Sequence, residues 1–121
     1  MKINHILGIG ILLTLFALGK PSLAQQPPRV FFVGNSYTQV NDLPRMVADI
    51  AQSMGDTMVY ASNTPGGCTF EMHCTNASMD KICQGGWDFV ILQEQSQLPA
   101  FPIEMVEEMV FPFAKQLVDS I

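Results

Sequence analysis

Basic residues and histidines are scarce in this chain. Six lysines and arginines stand against 11 aspartates and glutamates, and only two histidines occur. Beyond Ala24 the bases reduce to Arg29, Arg45, Lys81 and Lys115, while every acid lies in that part, so no basic patch can form. Nucleic acid is therefore not an expected partner, and an anionic membrane surface finds nothing to attract it. Neither Gly-x-Gly-x-x-Gly nor Gly-x-x-x-x-Gly-Lys-Ser is present, which removes the nucleotide- and phosphate-loop readings and leaves no cofactor to expect. Cysteine is sparse too: Cys68, Cys74 and Cys83. With His73 they could be drawn as a zinc site, but no Cys-x-x-Cys pair exists, and no metal is expected.

The first residues read as a targeting segment. Lys2 and His5 precede the apolar stretch from Ile6 to Leu18, and Ser22-Leu23-Ala24 offers small residues where a signal peptidase reads them. The apolar core is short for a membrane span and is interrupted by Gly8 and Gly10, with Gly19 just beyond it. A signal peptide over residues 1–24 follows, with export to the periplasm or the medium and no lasting membrane anchor. In that compartment one disulfide among the three cysteines is expected, with one thiol left over and the pairing open. Residues 25–121 suffice for one small domain.

Within that domain, apolar runs and helical stripes alternate. Val30-Phe31-Phe32-Val33 is a four-residue run of β-branched and aromatic residues, the mark of a strand buried on both faces. Asn41 or Asp42 can cap a helix with Pro44 in its first turn. Leu43, Met46, Val47, Ile50, Ala51 and Met54 give it one apolar face ending at Gly55. Thr57 to Ala61 reads as a second strand, residues 69–83 as a weaker helix, and Phe89-Val90-Ile91-Leu92 as a third, buried strand. A helix begins at Ile103 and should be kinked or interrupted by Pro112. Met46, Met54, Met105 and Met109 fall at core positions of these helices. The order strand, helix, strand, helix, strand, helix specifies an α/β fold with a parallel sheet and helices on both faces, truncated after about three strands.

Three polar clusters then coincide. Ser36 follows the first strand, Gly66-Gly67 the second, and Gln93 to Gln97 the third, all at the carboxyl edge where open α/β sheets bind ligands. By itself Gly34-Asn35-Ser36-Tyr37-Thr38 is composed of ordinary turn residues. Together with the others it supplies a hydroxyl nucleophile and neutral donors for an oxyanion: the backbone N–H groups of Ser36 and Gly67, and the side-chain amide of Gln93 or, as second choice, Gln95. The segment lacks the second glycine of the α/β-hydrolase nucleophile elbow.

These residues resemble the SGNH hydrolases, the GDSL-like lipases and esterases. Phe32-Val33-Gly34-Asn35-Ser36-Tyr37-Thr38 is similar to the family's first block, with asparagine where many members carry aspartate. Gly67-Cys68-Thr69 resembles the second block. Trp87 through Ser96 stands in place of the third, with Gln-Glu-Gln-Ser where Gly-x-Asn-Asp is usual. The likeness runs from about residue 29 to residue 98, and the joint order of the blocks is more specific than any one of them. It implies a flavodoxin-like three-layer fold and a secreted esterase acting on acyl or acetyl esters, carbohydrate esters included, through a Ser36 acyl-enzyme. The family's base lies in an Asp-x-x-His segment, which does not occur here, so the chain as given is expected to be inactive or nearly so. His73 is expected to pack locally rather than serve as that base. Asp88 should start its strand, and Glu94 should orient the glutamines or cap a turn. The competing function is a non-catalytic module holding a glycan or small ligand at the same edge.

Overall fold

Four consecutive apolar residues leave a strand no polar face, so the Val30-Phe31-Phe32-Val33 segment is expected to run through the middle of a sheet. In the computed structural model, which describes residues 26–121, it does. β1 (Arg29–Val33) lies between β2 (Val59–Asn63) and β3 (Phe89–Leu92) in a parallel sheet of order β2-β1-β3. The chain is thus an α/β protein. The register aligns Phe31 with Ala61 and Val90, and Val33 with Asn63 and Leu92. The signal peptide expected over residues 1–24 lies outside the described residues. Among those described, no helix is long and apolar enough to cross a membrane.

The helices form where caps and prolines allow. α1 (Ser36–Gln39) is a single turn that the sequence pattern does not announce, and Asn35 caps it. α2 (Leu43–Ser53) starts at Asp42, whose side chain accepts from the Arg45 N–H, with Pro44 in the first turn. The stretch expected as one helix over residues 69–83 is two, α3 (Phe70–His73) and α4 (Ala77–Gln84). Asn76 ends the continuity by taking the N-cap of α4. Past a 3₁₀ turn at Leu98–Ala100, α5 (Ile103–Met109) and α6 (Phe111–Asp119) meet at Val110. Pro112, lacking an N–H, fits the first turn of α6, where that hydrogen would be unpaired anyway. The second strand starts two residues later than its β-propensity suggests, because Val59 is what aligns with Arg29.

One face of the sheet is closed. Phe31 and Val33 pack with Phe70, Cys74, Ile82, Val106, Val110 and Leu117 from α3 to α6 and the α5–α6 junction. Trp87 stacks on Phe31 at 5.1 Å and donates its indole N–H to the Lys81 carbonyl. At the opposite end of the strands from Ser36, Asp88 exchanges two hydrogen bonds with the Arg29 backbone, setting the start of β3 beside β1 as expected of it.

The other face is not closed. Val30, Phe32, Phe89 and Ile91 floor an apolar groove of about 350 Å³ that α2 reaches only through Val47. Phe89 is 59% exposed and Ile91 46%. The stripe on α2 that reads as a core face is open as well, with Ile50 59% and Met54 77% exposed. This corrects the core assignment of Met46, Met54, Met105 and Met109, all of which are exposed. Periodicity reports that a helix has an apolar side, not that something covers it. β3 also has no neighbour on its outer edge among the described residues. Residues 25–121 are therefore expected to self-associate through this face and edge. In sedimentation velocity, Ile91→Thr should shift the population toward monomer, and an unchanged distribution would count against this surface.

Candidate functional site

The turn after β1 is fixed by what approaches it. A Cβ on Gly34 would lie 2.6 Å from Thr38 Oγ1 and 2.7 Å from Gln93 Oε1, so a side chain there would push both out of place. Asn35 is buried, and its side chain works in two directions. Oδ1 accepts from the Tyr37 N–H at 3.1 Å, which caps α1, and Nδ2 donates to the Cys68 carbonyl at 3.1 Å. The second bond ties the serine turn directly to the Gly67-Cys68 loop. It also gives a physical reason for asparagine at this position, because an ionised aspartate has no donor for that carbonyl.

Ser36 opens α1 and is half-buried at the mouth of a cleft of about 310 Å³, with Tyr37, Val40 and Asn41 as the other walls. Its hydroxyl and its N–H find no partner among the described residues, and neither does the Gly67 N–H. Gly67 has a φ of 70°, a conformation that costs other residues strain, with open space where a side chain would point. Asn41 and Asp42, successive residues at φ 66° and 49°, turn the chain beside this cleft. Both are residue types that tolerate the left-handed region.

The glutamines are placed at the same edge but are differently employed. Gln93 Oε1 accepts from the Asn35 N–H at 3.1 Å and from Thr38 Oγ1 at 2.9 Å, and its Nε2 donates to the Glu94 carbonyl. Its oxygen thus holds the turn, and one N–H remains uncommitted among the described residues. Gln95 Oε1 accepts from the N–H groups of Gln97 and Leu98, shaping the turn that follows. Glu94 accepts from the Phe70 N–H at 3.0 Å, capping α3, and from the Gln95 N–H at 2.6 Å. That is the capping role foreseen for it, applied to the helix after the glycine loop.

His73 goes beyond local packing. It is wholly buried at the end of α3, with Nε2 2.9 Å from the Gly34 carbonyl and Nδ1 2.8 Å from Ser78 Oγ. Both nitrogens are engaged, so neither is available to Ser36. Thr38, Ser78, Asn63 and Asn76 complete this polar shell and escape sequence reasoning. The signal that could have found them is the pair of asparagines next to turns, at the end of β2 and before α4.

The cysteines do not pair. Cys68 receives a hydrogen bond from Asn76, buried Cys74 points at the Phe113 carbonyl, and Cys83 is exposed on α4. This corrects the expected disulfide: each sulfur has its own surroundings on a different part of the α3–α4 region. The four residues drawn above as a zinc set do not gather as ligands among the described residues either. Burial pushes the Cys68 and Cys74 thiols above the ordinary range. The neighbouring carboxylate of Glu94 adds to this at both, and Glu71 adds to it at Cys74.

No family model, curated protein or solved structure matches this chain. The site therefore stands on its geometry: a serine hydroxyl at the end of the central strand and two backbone N–H groups without partners among the described residues, on segments tied together by Asn35, and an amide lock from the residue after β3.

Two outcomes follow from these contacts. Gly34→Ala should lower stability by about 1–3 kcal/mol through overpacking, and Asn35→Asp by about 1–3 kcal/mol through the unpaired Cys68 carbonyl. Urea unfolding of both variants against the parent measures this, and wild-type midpoints would contradict the close approach. With iodoacetamide at mildly alkaline pH, Cys83 should be modified first. Raised thiol pKa values stabilise the fold fully below the ordinary thiol range, and that contribution disappears as pH climbs through the folded values. Cys68 and Cys74 should therefore become reactive together with alkaline unfolding.

Proposed function

We propose that these residues belong to a secreted or periplasmic serine esterase of the SGNH hydrolase type, acting on acyl or acetyl esters, carbohydrate esters among them. The observation that carries this reading is the Ser36 hydroxyl at the carboxyl end of β1, which, like the N–H groups of Ser36 and Gly67, has no partner among the described residues, with Asn35 tying the two loops. The order β2-β1-β3 adds support, since a flavodoxin-like sheet starts in that order and places its ligand at the β1/β3 switch point. Ser36 and Gln93 follow those two strands.

In the proposed reaction a base takes the Ser36 proton as Oγ bonds to the acyl carbon, and the N–H groups of Ser36 and Gly67 receive the developing oxyanion. The free hydrogen of Gln93 Nε2 is the third donor in this reading. Collapse of the intermediate breaks the bond to the alcohol, which leaves with the proton returned by the base. Water then attacks the acyl-enzyme, and the acid departs as Ser36 regains its hydrogen. The base is the imidazole of the Asp-x-x-His segment that the family resemblance implies and these 121 residues do not contain.

The commitment of both His73 nitrogens favours a second reading for the chain as it stands, a ligand-binding module that lacks turnover. The two are separated by supplying the base from solution. A fluorophosphonate probe with added imidazole should label Ser36, and the label should vanish in Ser36→Ala. Labelling that survives this substitution, or none with imidazole present, would overturn the nucleophile assignment. Without imidazole, p-nitrophenyl acetate hydrolysis should match that of Ser36→Ala.

A further inference from the structure

The peptide unit joining Gly34 to Asn35 is held at both polar ends by side chains from other elements. Its carbonyl faces His73 Nε2 at 2.9 Å and its N–H donates to Gln93 Oε1 at 3.1 Å. A carbonyl oxygen only accepts, so Nε2 carries the imidazole proton. Nδ1 is then the bare nitrogen, and Ser78 Oγ at 2.8 Å has to be its donor. With its one proton used, Ser78 Oγ accepts from Asn63 Nδ2, also at 2.8 Å. Asn76 Nδ2, 3.4 Å from Nδ1, is a second donor on that side. The series runs one way, from the end of β2 through α4 and α3 to the turn after β1. His73 and Ser78 are both 0% exposed, so bulk solvent does not reach these positions.

We propose that His73 is a positioning residue for Ser36. Locked as the Nε2–H tautomer, it fixes the rotation of the Gly34–Asn35 peptide plane and hence the direction of the Ser36 N–H and hydroxyl. Rotating that plane breaks the bonds to His73 and Gln93 at once and leaves polar groups unpaired in a buried place. The inference rests on the esterase reading for what Ser36 does, but not for how Ser36 is held.

The tautomer is tested first, by NMR of the chain with ¹⁵N-labelled histidine and His5→Gln, which leaves a single imidazole. A pyrrole-type, slowly exchanging Nε2–H with a pyridine-type Nδ1 is expected. The reverse tautomer, or an averaged signal, overturns the proposal. Two replacements then separate position from mere packing. The amide of His73→Gln reaches the Nε2 place, whereas that of His73→Asn reaches only the Nδ1 place. Imidazole-assisted fluorophosphonate labelling of Ser36 should survive in the first and fall about tenfold or more in the second. Equal labelling in two folded variants overturns the proposal. Should either fail to fold, Ser78→Ala removes the donor to Nδ1, and hydrogen exchange at the Asn35 N–H should accelerate; unchanged exchange counts against the lock. If the parent chain takes no label at all, the esterase reading fails, while the tautomer and the Asn35 exchange still decide the positioning role.

Discussion

The absence of a Cβ on Gly34 is the constraint on which the rest of the site depends. Thr38 and Gln93 close in on the space where that atom would be. Their approach lets Gln93 take the Asn35 N–H, and His73 takes the Gly34 carbonyl from the α3 side. Burial of Val30 to Val33 secures the strand, but hydrophobic burial is non-directional and does not aim the residue that follows it. Aim comes from hydrogen bonds, and here they arrive from three elements outside β1. The serine turn is thereby made rigid by its surroundings rather than by its own sequence.

The same contrast decides what the sequence discloses. The strands at Val30 and Phe89 are legible as runs of consecutive apolar residues, but only β1 is buried; β3, read as buried from the same pattern, is an edge strand with Phe89 and Ile91 exposed. The break at Val110 is legible through Pro112, which fits a first helical turn far better than a helix interior. α3 and α4 are not legible as two helices, since the apolar spacing continues across the break and only the Asn76 cap interrupts it. The exposed stripe of α2 is misread for a related reason: amphipathicity records an intended contact, whereas burial depends on a partner. Of the candidate site, Ser36, Gly67 and Gln93 are legible only as polar residues that follow strands, which is where they lie. His73 is recognised as non-basic, yet its link to Gly34, 39 residues away, depends on a tertiary contact that no local pattern encodes.

Asn35 shows how one residue joins the two halves of the edge. Its amide presents an acceptor to α1 and a donor to the Cys68 carbonyl, whereas an ionised carboxylate of the same size only accepts. The glycine loop is thus held to the serine turn by a bond that an aspartate could not make. Glu94 does the complementary work from β3, holding the start of α3. Through Asn35, Glu94 and His73, the loops after all three strands are cross-tied, and a small movement of one is opposed by the others.

In the proposed esterase these ties also divide the work around Ser36. Stabilising an oxyanion needs fixed donors, and cross-tied backbone N–H groups are of that kind, because they need no reorganisation when charge develops. Activating the hydroxyl needs an imidazole with an accepting nitrogen toward it, and His73 is turned away, its accepting nitrogen facing Ser78. The histidine that holds the serine turn is thereby removed from acid–base work. An imidazole can be held in one tautomer by one nitrogen and transfer protons through the other, but it needs that second nitrogen free. Both His73 nitrogens are committed, to Gly34 and Ser78, so an esterase built on this edge has to draw its base from another group.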